Sequence, residues 1–283
     1  MTTFTAFALA HGVEIGDMCA SDRIRRCPTT AHPRSRNGAY WFDGYRGWVQ
    51  NWEHGDRVQW WNDPTAPTWT EADKSEWLAK RRATEIERRR LQHRAADRAA
   101  ELLTSATFET HGYLRARGFA DQKGLVLPDG ALMIPMRDVS TNALLGAQLI
   151  RLEDNQWTKK MLPGMRAKGA VFVIGRRHVP EHWLVEGFAT GLSVDRALQQ
   201  LRLNASVVVC FSAQNLTHAA GLLGGKRFVF ADNDASQTGA RAAISTCLPW
   251  AMSPLVGEDA NDLHQRAGLL AVCSLILQTR KNR

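Results

Sequence analysis

Two apolar segments of this chain end in carboxylates. HWLVE stops at Glu186, with Gly187 directly after it, and RFVFA stops at Asp232, which opens Asp232-Asn233-Asp234. A third acidic stretch, Gly257-Glu258-Asp259-Ala260-Asn261-Asp262, follows a further short apolar segment. In a parallel α/β sheet, ligands collect at the carboxyl ends of the strands. Glu186 and Asp232 therefore stand side by side if their strands are neighbours. Alternate residues of an extended segment point the same way, which lets Asp232 and Asp234 share a face. Carboxylates converging on one point repel each other, and without a cation that repulsion raises at least one pKa. Oxygen ligands of this kind suit Mg²⁺ or Mn²⁺, which keep waters and bridge to substrate phosphates. Such ions activate a hydroxyl or water and stabilise a leaving oxygen. A single acid after a strand is ordinarily a helix cap or turn former. A strand-Glu-Gly and a strand-Asp-x-Asp in that order, each before a helix, form a far more demanding pattern and point to phosphoryl transfer.

The elements that must position these acids can be read from periodicity. Apolar, β-branched runs at 131–136, 143–150, 170–175, 182–187, 206–211 and 227–232 read as strands. Helical patterns follow at about 189–201, 215–223 and 237–246. Near-continuous apolar strands alternating with helices predict a parallel sheet buried on both faces. Upstream, Gly and Pro are absent from Thr68 to His111, and Thr70 is a candidate N-cap with Glu71 and Asp73 in the first turn. This predicts one long helix, whose stretch from Lys80 to Arg98 carries eight Lys/Arg against three acids. That excess favours a phosphate-tracking face over a helix merely solvated by i,i+4 ion pairs such as Glu85 with Arg89. Before it, six tryptophans fall between Trp41 and Trp69 among turn residues, as in a small sheet of short strands. Most of them are expected in the core, with two exposed.

The expected fold class is therefore α/β: a parallel sheet flanked by helices over 105–283, preceded by a long basic helix at 70–104 and a small Trp-rich β module at 1–69. A net charge of +8 favours polyanionic partners, nucleic acid first. No apolar run reaches membrane-spanning length, and the first residues lack the basic start of a signal peptide, so a cytoplasmic location is expected. Cys19, Cys27, Cys210, Cys247 and Cys273 are odd in number and lack C-x-x-C spacing. A disulfide framework and a four-cysteine zinc site are both disfavoured. Gly221-Leu-Leu-Gly-Gly-Lys226 is too short for a P-loop and lacks its Ser/Thr, so it reads as a turn. His182, His218 and His264 have no evident chemical partners and read as structural or surface residues.

The acid-bearing segments resemble the Toprim motifs of primases, topoisomerases and related nucleases. LVEGFATGLS (184–193) resembles the first motif, FADNDASQTGARAA (230–243) the second, and GEDANDLH (257–264) the third acidic stretch of bacterial primases. HGYLRARGF (111–119), LMIPMRDVSTNALLGAQLI (132–150), KKMLPG (159–164) and KGAVFVIG (168–175) resemble the basic block that precedes Toprim in primases. The resemblance thus spans about 105–265 and points to phage- and plasmid-encoded primases of the alpha and conjugative types. It implies a Toprim-type parallel sheet flanked by helices over 179–283, preceded by a small basic mixed α/β subdomain over 105–178. It also implies a DNA primase that makes short RNA primers on single-stranded DNA by two-metal nucleotidyl transfer, for a phage or mobile element. Glu186 would be the acid/base or metal-proximal carboxylate, Asp232 and Asp234 would hold Mg²⁺ or Mn²⁺, and Asp259 and Asp262 would complete the patch. Arg137, Lys160 and Lys168 would contact ribonucleoside triphosphates or the nucleic-acid backbone.

In the zinc-binding members of that superfamily a Cys/His ribbon comes first. Here Cys19 and Cys27 lie eight positions apart, with His32 and His54 as the nearest histidines, so zinc is not expected. The first 69 residues read as a metal-free counterpart, in which Arg25, Arg26 and Arg46 interleave with Trp48 and other aromatics to grip a single strand. With no helicase motif present, the chain would act alone or beside a separately encoded helicase or polymerase. Two other classes remain open: a Toprim metal-dependent nuclease, and a non-catalytic single-stranded-DNA-binding accessory or defence factor. The upstream basic block disfavours the former, and the intact acids disfavour the latter.

Overall fold

A computed structural model describes residues 3–53 and 57–281. The chain divides into two compact units, Met1–Arg81 and Arg82–Arg283. The first holds α1 (Phe4–Ala10) and an antiparallel sheet of β1 (Ser21–Cys27), β2 (Gly38–Phe42), β3 (Arg46–Asn51) and β4 (Gln59–Asn62), paired in chain order. Thr3 caps α1 by accepting the Ala6 N–H, which sets Phe4 into the core. There its ring stacks on Phe42 at 4.7 Å and meets Tyr40 and Trp61. Along β3, Gly47, Val49 and Asn51 are buried while Arg46, Trp48 and Gln50 are less so. This is the alternation of a sheet packed on one side only. Of the six tryptophans, Trp52 and Trp60 are exposed, as two were expected to be. Among the described residues, however, only Trp61 packs against the core of this unit. Four strands and a seven-residue helix offer too little interior for the rest.

The long helix α2 (Glu71–Ser105) begins as its sequence predicts. Thr70 and Asp73 cap each other: Thr70 Oγ1 accepts the Asp73 N–H, and Asp73 Oδ2 accepts the Thr70 N–H and hydroxyl. Its basic face is partly neutralised, since Arg88 and Arg89 share Glu85 and Arg90 meets Glu87. Only Ala95 and Ala99 are buried along it.

The second unit continues with β5 (Thr107–Thr110), α3 (Gly112–Ala116), β6 (Lys123–Val126), β7 (Leu132–Asp138), β8 (Leu144–Glu153), β9 (Gln156–Met161) and β10 (Ala170–Ile174). Then come β11 (Glu181–Val185), α4 (Phe188–Gln200), β12 (Ala205–Val209), α5 (Ala213–Ala220), β13 (Lys226–Ala231), α6 (Thr238–Ser245), β14 (Trp250–Met252), α7 (Ala260–Ala267) and α8 (Leu269–Lys281). All ten strands form one mixed sheet in the order β14-β13-β11-β12-β10-β7-β6-β5, with β8 and β9 branching from β7. The parallel part is β14, β13, β11 and β12. In contrast to the all-parallel expectation, β10 runs antiparallel to β12. A parallel crossover needs about a dozen residues, and residues 175–180 between β10 and β11 are too few.

Strand alternation distributes the core over two faces. Trp183, Val185, Val207, Val209, Phe228 and Phe230 pack with α4, α7 and α8 on one side. Leu184, Val208, Cys210, Val229 and Ala231 pack with α5 and α6 on the other. Helix α4 lies close to the sheet because Gly191 has no side chain: a Cβ there would stand 2.8 Å from the Val209 methyl. Buried Asn215 ties α5 to the sheet, accepting the Gly169 N–H and donating to the carbonyls of Ala170 and Cys210. Asn215→Ala leaves all three backbone groups without partners, and such buried groups cost about 1–3 kcal/mol each. The expected net loss is ~3 kcal/mol, read as a midpoint shift in chemical denaturation. A loss below about 0.5 kcal/mol would mean that water replaces the amide at no cost.

Candidate active site

The acids meet because β11 and β13 are adjacent and parallel, with Val185 opposite Phe230 in register. Glu186 follows directly at the end of β11 and Asp232 at the end of β13. Beyond the strands, the two acidic loops are stitched together. The Asn233 N–H donates to the Glu258 carbonyl at 3.0 Å, and Asn233 Nδ2 donates to the Ser253 carbonyl at 2.9 Å. This bridge carries Asp259 toward Asp232. From the other side, Thr190 in the first turn of α4 donates its hydroxyl to Asp259 Oδ2 at 2.8 Å. Asp259 Oδ1 accepts the N–H groups of Asn261 and Asp262 and caps α7.

The four carboxylates differ in their surroundings. Asp232 is the most strained electrostatically: its Oδ1 is enclosed and has no hydrogen-bond partner. Burial, followed by the charges of Asp259, Glu186 and Asp234, raises its pKa from 3.8 to about 7, with Lys159 opposing the rise. Burial and the charge of Asp234 likewise raise the pKa of Glu186, again against Lys159. Asp234 behaves oppositely. Burial pushes its carboxyl up, but hydrogen bonds from the Ser236 hydroxyl and the N–H groups of Gly239 and Thr238 outweigh that and hold it below the usual range. Helix α6 approaches so closely that a Cβ at Gly239 would stand 2.3 Å from the Asp232 carbonyl oxygen. That contact keeps the Asp232-Asn233-Asp234 turn pressed against the helix start.

Glu186, Asp232, Asp234 and Asp259 thus act on one another through their charges. Asp262 is turned aside: its Oδ2 accepts the Asp259 N–H at 3.3 Å, completing a capping box, and its Oδ1 lies 3.9 Å from Arg117. Arg137 donates to the Asn142 carbonyl within its own turn, and Lys168 is exposed in the turn before β10. Lys160 is paired with Glu153 at 2.6 Å across β8 and β9. The cation that acts on Glu186 and Asp232 is its neighbour, Lys159. Successive strand residues face opposite sides. Lys159 pairs across β8 with Ile150, on the α4 face, whereas Lys160 pairs with Leu149, on the α2 face. Sequence reasoning chose between two adjacent lysines without a register to decide. It also missed Thr190, Asn233 and Asn261, whose buried amide bridges Ser193 and the Arg117 carbonyl.

In the first unit, Arg25 is exposed on β1 and Trp48 is half-buried on β3. The Arg26 guanidinium lies over Trp52 at 3.9 Å, and that of Arg46 over Trp69 at 4.8 Å. All five cysteines are free, and burial pushes the Cys27 thiol up to about 11. His54 lies outside the described residues.

A divalent cation fits the acidic site on two grounds: the donors are all hard oxygens, and Asp232 presents a buried oxygen with no partner. Among the described residues, no group of three or more His, Cys, Asp or Glu side chains stands arranged to hold a metal ion. No helix among the described residues is long and apolar enough to cross a membrane.

Adjacent parallel strands end here in Glu186 and in Asp232-Asn233-Asp234, and the following loop delivers a fourth acid, Asp259. Residues 182–269 match the Toprim domain family. No curated protein matches the chain. A solved structure of the DnaG catalytic core is similar at 17% identity with a TM-score of 0.38, covering 71% of this chain and 73% of that one.

Proposed function

We propose that this chain is a DNA primase, joining ribonucleotides into short primers on single-stranded DNA, in service of a phage or mobile element. The observation that carries the reading is Lys159. It stands on β9 of the upstream block yet acts on Glu186 and Asp232 of the Toprim domain. Cleavage needs an acidic metal site and a water, whereas polymerisation must also hold an incoming triphosphate. A lysine offers a point charge for phosphate. Asp232, Asp234 and Asp259 would hold Mg²⁺ or Mn²⁺, which would supply charge neutralisation for phosphate oxygens. Glu186, raised by burial and by its neighbour's charge, is suited to accept the proton of the attacking 3′-hydroxyl. Asp234, kept ionised by its hydrogen bonds, contributes a permanent negative charge beside it.

The test supplies single-stranded DNA, four ribonucleotides with labelled ATP, and Mg²⁺ or Mn²⁺. Short labelled products that vanish in Asp232→Ala and Glu186→Gln support the reading. Shortened template without labelled product would replace it with a nuclease. Neither product, with tight and salt-sensitive template binding, would leave a binding factor.

A further inference from the structure

Three fully enclosed polar side chains, Thr190, Ser193 and Asn261, join the start of α7 to the rest of the second unit. Thr190 and Ser193 lie three positions apart on α4, which puts them on one face of that helix. The Thr190 hydroxyl donates to Asp259 Oδ2 at 2.8 Å, and Ser193 Oγ accepts from Asn261 Nδ2 at 3.1 Å. The Asn261 amide reaches further. Its Nδ2 also donates to the Arg117 carbonyl at 2.9 Å, and its Oδ1 accepts from Gln265 Nε2 at 3.0 Å. The backbone N–H of Asn261 donates to Asp259 Oδ1 at 2.7 Å. An enclosed amide with its donors and its acceptor in use cannot turn without leaving buried groups unpaired. The Arg117 carbonyl leads to the other wall of the site. Arg117 closes α3, and α3 carries the buried Tyr113. The Lys159 ammonium and the Arg117 guanidinium each lie 5.6 Å from the centre of the Tyr113 ring, within the range of cation–π attraction. Lys159 thus rests on α3 while Asp259 caps α7. The Asn261 amide ties the two helices together, aided by the longer Arg117–Asp262 ion pair at 3.9 Å.

We infer that Asn261 is a positioning residue that holds the Lys159 ammonium and the Asp259 carboxylate at a fixed separation across the acidic site. It touches no reacting atom and acts through α3, α4 and α7. The assignment of Lys159 to substrate phosphate rests on the primase proposal above, whereas the latch between the three helices stands without it. Two observations separate this role from ordinary helix stabilisation. The first turn of α7 is already capped by the Asp259 side chain and by its reciprocal bond with Asp262, so the helix start does not need the Asn261 amide. The bonds of that amide instead reach residues 68 and 144 positions away in the chain. The groups behind a metal-binding carboxylate fix its direction, and their loss weakens metal binding. A cation misplaced by about 1 Å at a reacting centre likewise costs about 10²-fold in rate.

The test compares two variants of the full chain, Asn261→Ala and Ser206→Ala. Ser206 is also fully buried and hydrogen-bonds His182 at 2.8 Å, but at the opposite ends of β11 and β12 from the acids. Thermal melting is followed in chelator and over a series of Mg²⁺ concentrations, with no substrate present. Both variants should melt below the parent in chelator. Only Asn261→Ala should raise the Mg²⁺ concentration that gives half of the stabilisation, by about tenfold. In nucleotide transfer it should lower kcat by about 10²-fold and leave KM for ATP within about threefold. Equal Mg²⁺ half-points for the two variants would overturn the inference, because the amide would then serve stability alone. Ser193→Ala removes one acceptor of the amide and little volume, and should move the Mg²⁺ half-point in the same direction by less. Should Asn261→Ala not fold, an unchanged half-point in Ser193→Ala overturns the inference in its place. A parent that Mg²⁺ fails to stabilise also overturns it, and the primer assay then decides the primase proposal alone. A parent that binds Mg²⁺ but makes no primers sinks the primase proposal, while a raised half-point in Asn261→Ala still upholds the latch.

Discussion

Asp232→Asn should abolish metal-dependent phosphoryl transfer and, in chelator, make the protein more stable at pH 8. The two effects share one cause. Asp232 has an enclosed oxygen without a partner and faces three other carboxylates, which raises its pKa from 3.8 to about 7. The sign follows from proton linkage. Between pH 3.8 and 7 the folded protein retains a proton that the unfolded chain has lost. Stability from this group is therefore fully present below 3.8, falls as pH rises, and is gone above 7. Each factor of ten in proton affinity is worth about 1.4 kcal/mol, so the ionised carboxylate costs at most ~4 kcal/mol at pH 8. Water entry and loop relaxation make about 1–4 kcal/mol the reasonable span. Asn removes the charge and nearly preserves the shape. The melting temperature of the variant in chelator should exceed that of the parent by roughly 3–10 °C at pH 8, and the two should converge near pH 4. Mg²⁺ at pH 8 should raise the parent's melting temperature and leave the variant's unchanged. Activity should fall by at least ~10²–10³-fold, the loss typical of removing one preorganised electrostatic group. A variant less stable than the parent at pH 8 without metal would show that the acid is not held under electrostatic strain.

Lys159→Ala should cost about 10²-fold in kcat, whereas Lys160→Ala should stay within about threefold of the parent. The reasoning is positional. Lys159 lowers the pKa of Glu186 and Asp232, so removing it should also move the acidic limb of the pH–rate profile upward. Lys160 is salt-bridged to Glu153 on the opposite face, exposed to solvent, where such pairs contribute about 0–1 kcal/mol. Initial rates over a pH series for both variants decide the matter. Equal losses would mean that both lysines hold substrate phosphate and that strand alternation does not separate them. A larger loss for Lys160 would reverse the assignment.

Much of this architecture is legible in the chain because the signals are local. The apolar runs that become β7, β8, β10, β11, β12 and β13 are bounded by turn residues, and α2 starts at Thr70 with its capping partner Asp73 three positions on. Strands β9 and β14 are not legible. In QWTKKM, Lys159 interrupts the face shared by Trp157 and Met161, and WAM is three residues long, so neither shows a clear period, and only pairing with β8 and β13 makes them strands. The direction of β10 is likewise not legible, because apolar content reports burial and says nothing of strand polarity.

By itself, the sequence determined that Glu186 and the Asp232-Asn233-Asp234 turn end apolar strands, because a strand's hydrophobic run and the acid that stops it are contiguous. It also determined that a basic block precedes them. Only the tertiary structure decided which of these residues act together. The Asn233–Glu258 bridge and the Thr190 hydroxyl bring Asp259 to the site, while the capping box and Arg117 turn Asp262 away. Register, which a one-residue slip inverts, puts Lys159 rather than Lys160 toward the acids. Local runs specify elements. Convergence of side chains from distant elements depends on strand pairing, which no short stretch of sequence contains.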